Sequence, residues 1–133
     1  MSRMAAGLLI GVLASVGVAQ AQDFPSRPVT ILVPFAAGGG SDLLGRLVAQ
    51  QLEAKLGKPF IIENRPGAGT TLAAMAVVRA NPDGYMLMQA TSSTMAINVT
   101  MSKKLPYEPL KDLVPVALYS SSPFFLVVSS DSP

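Results

Sequence analysis

The sequence predicts an α/β fold built on a parallel sheet, because β-branched runs and amphipathic helical runs alternate three times with short connections between them. Length and composition agree. The 133 residues suffice for one small core, and half are hydrophobic against 14% charged, which excludes a disordered acidic or basic arm.

The first strand is Val29-Thr30-Ile31-Leu32-Val33, set between Pro28 and Pro34 and nearly continuous in apolar residues, as a strand covered on both faces would be. After a loop from Phe35 to Gly40, Ser41 suits a helix N-cap and Asp42 complements the dipole of the first turn. Leu43, Leu44, Leu47, Val48, Leu52 and Leu56 recur at helical spacing and form its apolar face, and Gly57 ends it. Phe60-Ile61-Ile62-Glu63 is a second strand, Gly67-Ala68-Gly69 a loop, and Thr71 to Ala80 a helix closed by the turn Asn81-Pro82-Asp83-Gly84. A third strand runs near Tyr85 to Thr91, and Ser92 or Ser93 caps a short helix reaching Val99. Beyond Met101 the rhythm breaks. Leu105-Pro106-Tyr107-Glu108-Pro109 is extended, and Val114 to Tyr119 and Phe124 to Val128 read as two further strands. Met75, Met86, Met88 and Met95 are expected to fill the core.

The chain opens as an export leader would. Arg3 precedes an apolar run from Ala5 to Ala19, and Ala19-Gln20-Ala21 fits a small-residue cleavage site, so residues 1–21 are expected to be a signal peptide cut after Ala21. The run is shorter than the roughly 20 residues of a spanning helix, and Gly7, Gly11 and Gly17 weaken it; an uncleaved anchor is the alternative.

Cys and His are both absent, which removes disulfides, the usual zinc sites, cysteine nucleophiles and Ser-His-Asp triads. A net charge of +2 without a basic run gives no support to nucleic-acid binding.

The stretch with chemical content is Pro34-Phe35-Ala36-Ala37-Gly38-Gly39-Gly40-Ser41-Asp42. In a parallel sheet it lies beyond the carboxyl end of the first strand, where such proteins bind ligands, and its glycines let backbone amides approach a small anion at a helix N-terminus. A dinucleotide fingerprint from Gly38 fails at Leu43, and no Lys follows to make a phosphate loop. A plain strand-to-helix turn, with Asp42 as a dipole partner, is the simpler alternative. Thr91-Ser92-Ser93-Thr94 would face the same crevice with hydroxyls, unless Ser92 or Ser93 serves as a cap. Gly67-Ala68-Gly69-Thr70-Thr71 could lend further amides, with helix capping by Thr70 or Thr71 as its alternative.

Four stretches in order, Phe24-Pro25-Ser26-Arg27-Pro28-Val29, Val33 to Asp42, Glu63-Asn64-Arg65-Pro66-Gly67-Ala68-Gly69 and Asn81-Pro82-Asp83-Gly84-Tyr85, closely resemble the Bug-type periplasmic solute-binding proteins, receptors of tripartite tricarboxylate transporters. Ala96-Ile97-Asn98, Leu105-Pro106-Tyr107 and Val114-Pro115-Val116-Ala117 look like the same family. The resemblance implies a Rossmann-like lobe of a type II periplasmic-binding-protein (Venus-flytrap) fold that closes on a small carboxylate. It gives Phe35, Ala36, Ala37, Gly38, Gly39, Gly40, Ser41 and Asp42 the ligand-loop role, and Thr91, Ser92 and Ser93 the third-strand loop role. On that reading residues 22–113 form the first lobe and 114–133 cross toward a second, so the fold is expected to be incomplete at the C-terminus. The expected partners are a small carboxylate and membrane permease subunits, with no metal, no cofactor, no nucleic acid and a monomeric receptor in the periplasm.

Two departures stand out. The family commonly follows Pro-Gly-Ala-Gly with Gly-Asn, where this chain has Thr70 and Thr71, and its members are considerably longer. Two other readings stay open: a secreted α/β enzyme using Asp42 or Glu63 as acid or base, and a truncated product without independent binding.

Overall fold

The computed structural model describes residues 23–123 and 125–132, so the predicted signal peptide and Phe124 lie outside the described residues. Strand β1 (Val29–Val33) is central, flanked by β2 (Phe60–Asn64) and β3 (Met86–Met88), and both pairings are parallel. Val29 faces Phe60 in one ladder and Thr30 faces Met86 in the other. The near-continuous apolar reading of β1 holds, since Val29, Ile31, Leu32 and Val33 are all buried.

The connections are helical. Helix α1 (Gly40–Leu56) joins β1 to β2, and a 3-10 turn (Ala68–Thr70) running into α2 (Thr71–Val78) joins β2 to β3. With the right-handed crossovers that parallel strands adopt, stepping from β1 to β2 and then from β2 back past β1 to β3 puts these helices on opposite faces of the sheet. After β3 come a π-helical turn (Ser93–Ile97), α3 (Asn98–Met101) and α4 (Pro109–Asp112). Among the described residues no helix is long and apolar enough to cross a membrane.

At the amino edge of the sheet the chain before β1 is clasped to the turn before β3. Arg27 lies over the Tyr85 ring at 3.8 Å and bonds Asp83 at 2.9 Å, and the Ser26 N–H donates to the Tyr85 hydroxyl at 2.8 Å. The Ser26 hydrogen bonds hold the Tyr85 hydroxyl below the usual tyrosine range.

Several expectations need correction. Helix α1 starts two residues early, with extended Gly39 rather than Ser41 as its N-cap, and Gly57 ends it in the left-handed conformation as predicted. Its buried face is Asp42, Gly45 and Ala49, with Leu44, Val48 and Leu52 half-buried, while Leu43 and Leu47 are 63% and 53% exposed. Two forces set this rotation. Asp42 is held inward by polar bonds, and Gly45 lets the helix press on the sheet, where a Cβ would meet Val33 Cγ2 at 3.1 Å.

Strand β3 is shorter than the run from Tyr85 to Thr91, and neither Ser92 nor Ser93 caps the turn that follows it. The four named methionines are half-buried rather than central to the core. The described residues of 114–119 and 124–128 are not strands. A β-branched run becomes a strand only where another backbone pairs with it, and here Val114, Val116, Leu118, Phe125 and Val127 project into solvent instead.

Candidate functional site

All three strands run the same way, so the loops that leave them gather along one carboxyl edge. The strand order β2-β1-β3 reverses the direction in which successive connections step across the sheet, and the crevice outside β1 and β3 is therefore the topological switch point where open α/β sheets bind ligands. The two predicted site segments flank it. The loop carrying Phe35, Ala36, Ala37, Gly38, Gly39 and Gly40 leaves β1, and Thr91, Ser92 and Ser93 follow β3, whose ladder continues through the Gln89 N–H to the Leu32 carbonyl at 2.9 Å.

The first loop is exposed but tied down by the side chain at its end. Asp42 is buried, and its Oδ2 accepts from the Gly38 N–H at 2.9 Å and from Arg46 Nε at 3.0 Å. Its Oδ1 accepts from Asn64 Nδ2 at 2.9 Å, and the same nitrogen donates to the Phe35 carbonyl at 3.1 Å. Arg46 Nη2 closes the ring on Asn64 Oδ1 at 3.3 Å. The bond from Arg46 above all, then those from Gly38 and Asn64, hold the Asp42 carboxyl at a pKa of about 2. Ionised and internally paired, this carboxylate fastens the loop to helix α1 and to the end of β2.

That leaves the first-turn amides. The Leu43 N–H begins the helical ladder by donating to the Gly39 carbonyl at 3.0 Å, so the amides of Gly40, Ser41 and Asp42 have no intrahelical acceptor. None of them bonds a described group. They point out of the N-terminus of a 17-residue helix, where the dipole favours an anion.

The third-strand loop is pinned from a different direction. Thr94 is buried, and its hydroxyl shares a 2.9 Å hydrogen bond with the Thr70 hydroxyl and sits 3.4 Å from the Thr91 hydroxyl. Its carbonyl accepts from the Tyr107 hydroxyl at 2.8 Å. Thr70 makes no side-chain cap to α2, so its hydroxyl serves the neighbouring loop and not its own helix. Glu63, the other carboxylate considered for acid or base work, pairs with Arg65 beside it.

Sequence reasoning missed Asn64 and Arg46. Arg46 was legible as the partner four residues beyond Asp42 on a helix, and Asn64 stood inside Glu63-Asn64-Arg65-Pro66. Gln89 was invisible: it is buried, and its Oε1 has no partner among the described residues.

Comparisons with known proteins identify the family of the chain. The family described as tripartite tricarboxylate transporter family receptor matches residues 44–133. The chain is 44% identical over 118 residues to a UPF0065 protein of Bordetella bronchiseptica, covering 89% of this chain and 35% of that one. It is 35% identical over 126 residues to the protein BugT of Bordetella pertussis, covering 91% and 39%. Among solved structures it is similar to MatC of Rhodopseudomonas palustris with bound malate, at 47% identity and a TM-score of 0.68 over 71% of this chain and 32% of that one. A second R. palustris protein, with adipate, is 38% identical with a TM-score of 0.64, over 66% and 29%. The chain thus spans a little over a third of the length of these curated relatives, and its three-stranded parallel sheet corresponds to part of such binding-protein structures.

Proposed function

Because this chain belongs to the tripartite tricarboxylate transporter receptor family, we propose that it forms the first jaw of a periplasmic receptor that captures a small carboxylate for a membrane permease. Its family is one of solute-binding receptors, not of enzymes, and both carboxylates once considered for acid or base work are engaged in ion pairs. Residues 1–21 would serve as the export leader, and residues 114–133 would lead toward a second lobe.

In the proposed mode one ligand carboxylate rests at the N-terminus of α1 and accepts hydrogen bonds from the Gly40, Ser41 and Asp42 amides. The backbone from Phe35 to Gly39 forms the wall of the site. Asp42 would contribute its backbone only, because its side chain is turned inward and its charge is matched by Arg46 at 3.0 Å, so an approaching anion meets amides and not a bare carboxylate. Thr91, Ser92 and Ser93 would supply hydroxyls from the other bank of the crevice. The observation that carries this reading is the Asp42 ring, which fixes the glycine loop while leaving the first-turn amides without acceptors.

The magnitudes explain why one jaw is not enough. Three amides on a charged oxygen offer about 5 to 9 kcal/mol, at about 1.5 to 3 each. Association costs about 4 kcal/mol or more in lost freedom, so this chain alone binds weakly and a closing partner lobe supplies the rest. The ligands seen with the two R. palustris relatives, malate and adipate, are the natural probes. In an NMR titration of the full chain with each, amide shifts are expected at Gly38 to Asp42 and at Thr91 to Ser93, and none with the corresponding neutral diamide. No shift with either acid, or equal shifts with a diamide, would overturn the proposal.

A further inference from the structure

The turn after β2 adopts a conformation that its sequence does not favour. Gly67, Ala68, Gly69 and Thr70 all have positive φ, at 129°, 47°, 59° and 79°. Glycine enters this region freely, whereas a β-branched residue does so only at an energetic cost that the surroundings must outweigh. Thr70 stands where the family resemblance led us to expect glycine.

What the surroundings offer is a short hydroxyl pair with Thr94 and a longer bond, at 3.5 Å, donated by Asn98 Nδ2 to the Thr70 hydroxyl. Thr70 is 4% exposed, and its hydroxyl bonds that of Thr94, which is fully buried. Helix capping does not account for the threonine, since it makes no cap bond. Thr94 in turn lies 3.4 Å from both the N–H and the hydroxyl of Thr91, the first predicted site residue after β3. Asn98 adds a brace by donating to the Gly69 carbonyl at 2.6 Å, which holds the left-handed turn against the start of α3.

We propose that Thr70 is a positioning residue for the third-strand loop: its hydroxyl, presented by a left-handed backbone, orients Thr94 and through it the Thr91 amide and hydroxyl at the crevice. The role rests on the carboxylate reading given above. It separates from a merely structural one because Thr70→Gly relieves the backbone while deleting the hydroxyl, and Thr70→Ser keeps the hydroxyl.

The test is amide hydrogen exchange on the full chain, with the β1 amides of Ile31 and Leu32 as the internal reference for global opening. In Thr70→Gly the Thr91 amide should exchange about tenfold faster relative to that reference, as loss of one hydrogen bond implies. Thr70→Ser should restore the parent rate, and malate affinity should fall several-fold in the glycine variant alone. Unchanged relative exchange in Thr70→Gly, or equal acceleration at β1, overturns the proposal, as does a serine variant that behaves like glycine. Absence of binding of both malate and adipate by the parent chain would instead overturn the carboxylate reading, and the exchange pattern would still decide whether Thr70 orders the loop.

Discussion

Replacing Tyr107 by Phe removes one oxygen from the side chain that ties the segment after the third α/β unit back to the crevice. Tyr107 is 4% exposed, and its hydroxyl donates at 2.8 Å to the carbonyl of Thr94. The ring survives the substitution, so no cavity opens and only the hydrogen bond is lost. One such bond contributes about 1 kcal/mol net, and the cost rises toward about 2 kcal/mol where the acceptor stays buried without a donor. In a domain of this size 1 kcal/mol moves the melting temperature by roughly 4 to 8 °C, so a fall of about 5 to 10 °C is expected. Circular dichroism melting of the full chain at neutral pH measures it, with Tyr107→Leu as a control that also removes the ring and should fall further. A phenylalanine variant that melts with the parent would show that the hydroxyl does not fasten this segment, and the pinning of Thr94 between Thr70 and Tyr107 would lose one of its supports.

Two further outcomes follow from the site. The Asp42 carboxyl titrates at about 2 in the folded chain against 3.8 in the unfolded one, so the unfolded state binds more protons in between and stability falls as pH drops from about 4 through about 2. Asp42→Asn should lose that component while being less stable at neutral pH; urea midpoints measured across the window would refute the account if the two chains kept the same pH dependence. Gln89→Met replaces a buried oxygen that has no described partner by a flexible apolar chain, and should raise stability by about 1 kcal/mol, whereas a fall of that size in the urea midpoint would mean that the amide has a function in the fold.

The parts of the fold that follow from local chemistry were legible in the sequence. The apolar run at Val29–Val33, the helix after the glycine triplet and the stop at Gly57 each rest on rules that act within a few residues. The rotation of α1 was not legible, because it is decided by a polar ring that spans Gly38, Asp42, Arg46 and Asn64, two of which lie far apart in the chain. A leucine count alone turns the helix toward Leu43 and Leu47, and the bond between Asp42 and Asn64 turns it away from them. The stretch around Val114 to Val128 failed for a related reason, since a strand is a property of two backbones and the sequence of one cannot supply the other.

Thr70 carries the same lesson to the crevice itself. A propensity argument treats threonine ahead of a helix as a cap, because the hydroxyl then finds a donor nearby. Here the preceding glycines have already committed the backbone to positive φ, and the hydroxyl finds its partner 24 residues away on Thr94. The second strand and the turn that follows it thereby touch both banks of the crevice, through Asn64 to the glycine loop and through Thr70 to the hydroxyl loop. Loosening either contact should therefore reach the proposed anion site without altering any group proposed to touch the anion.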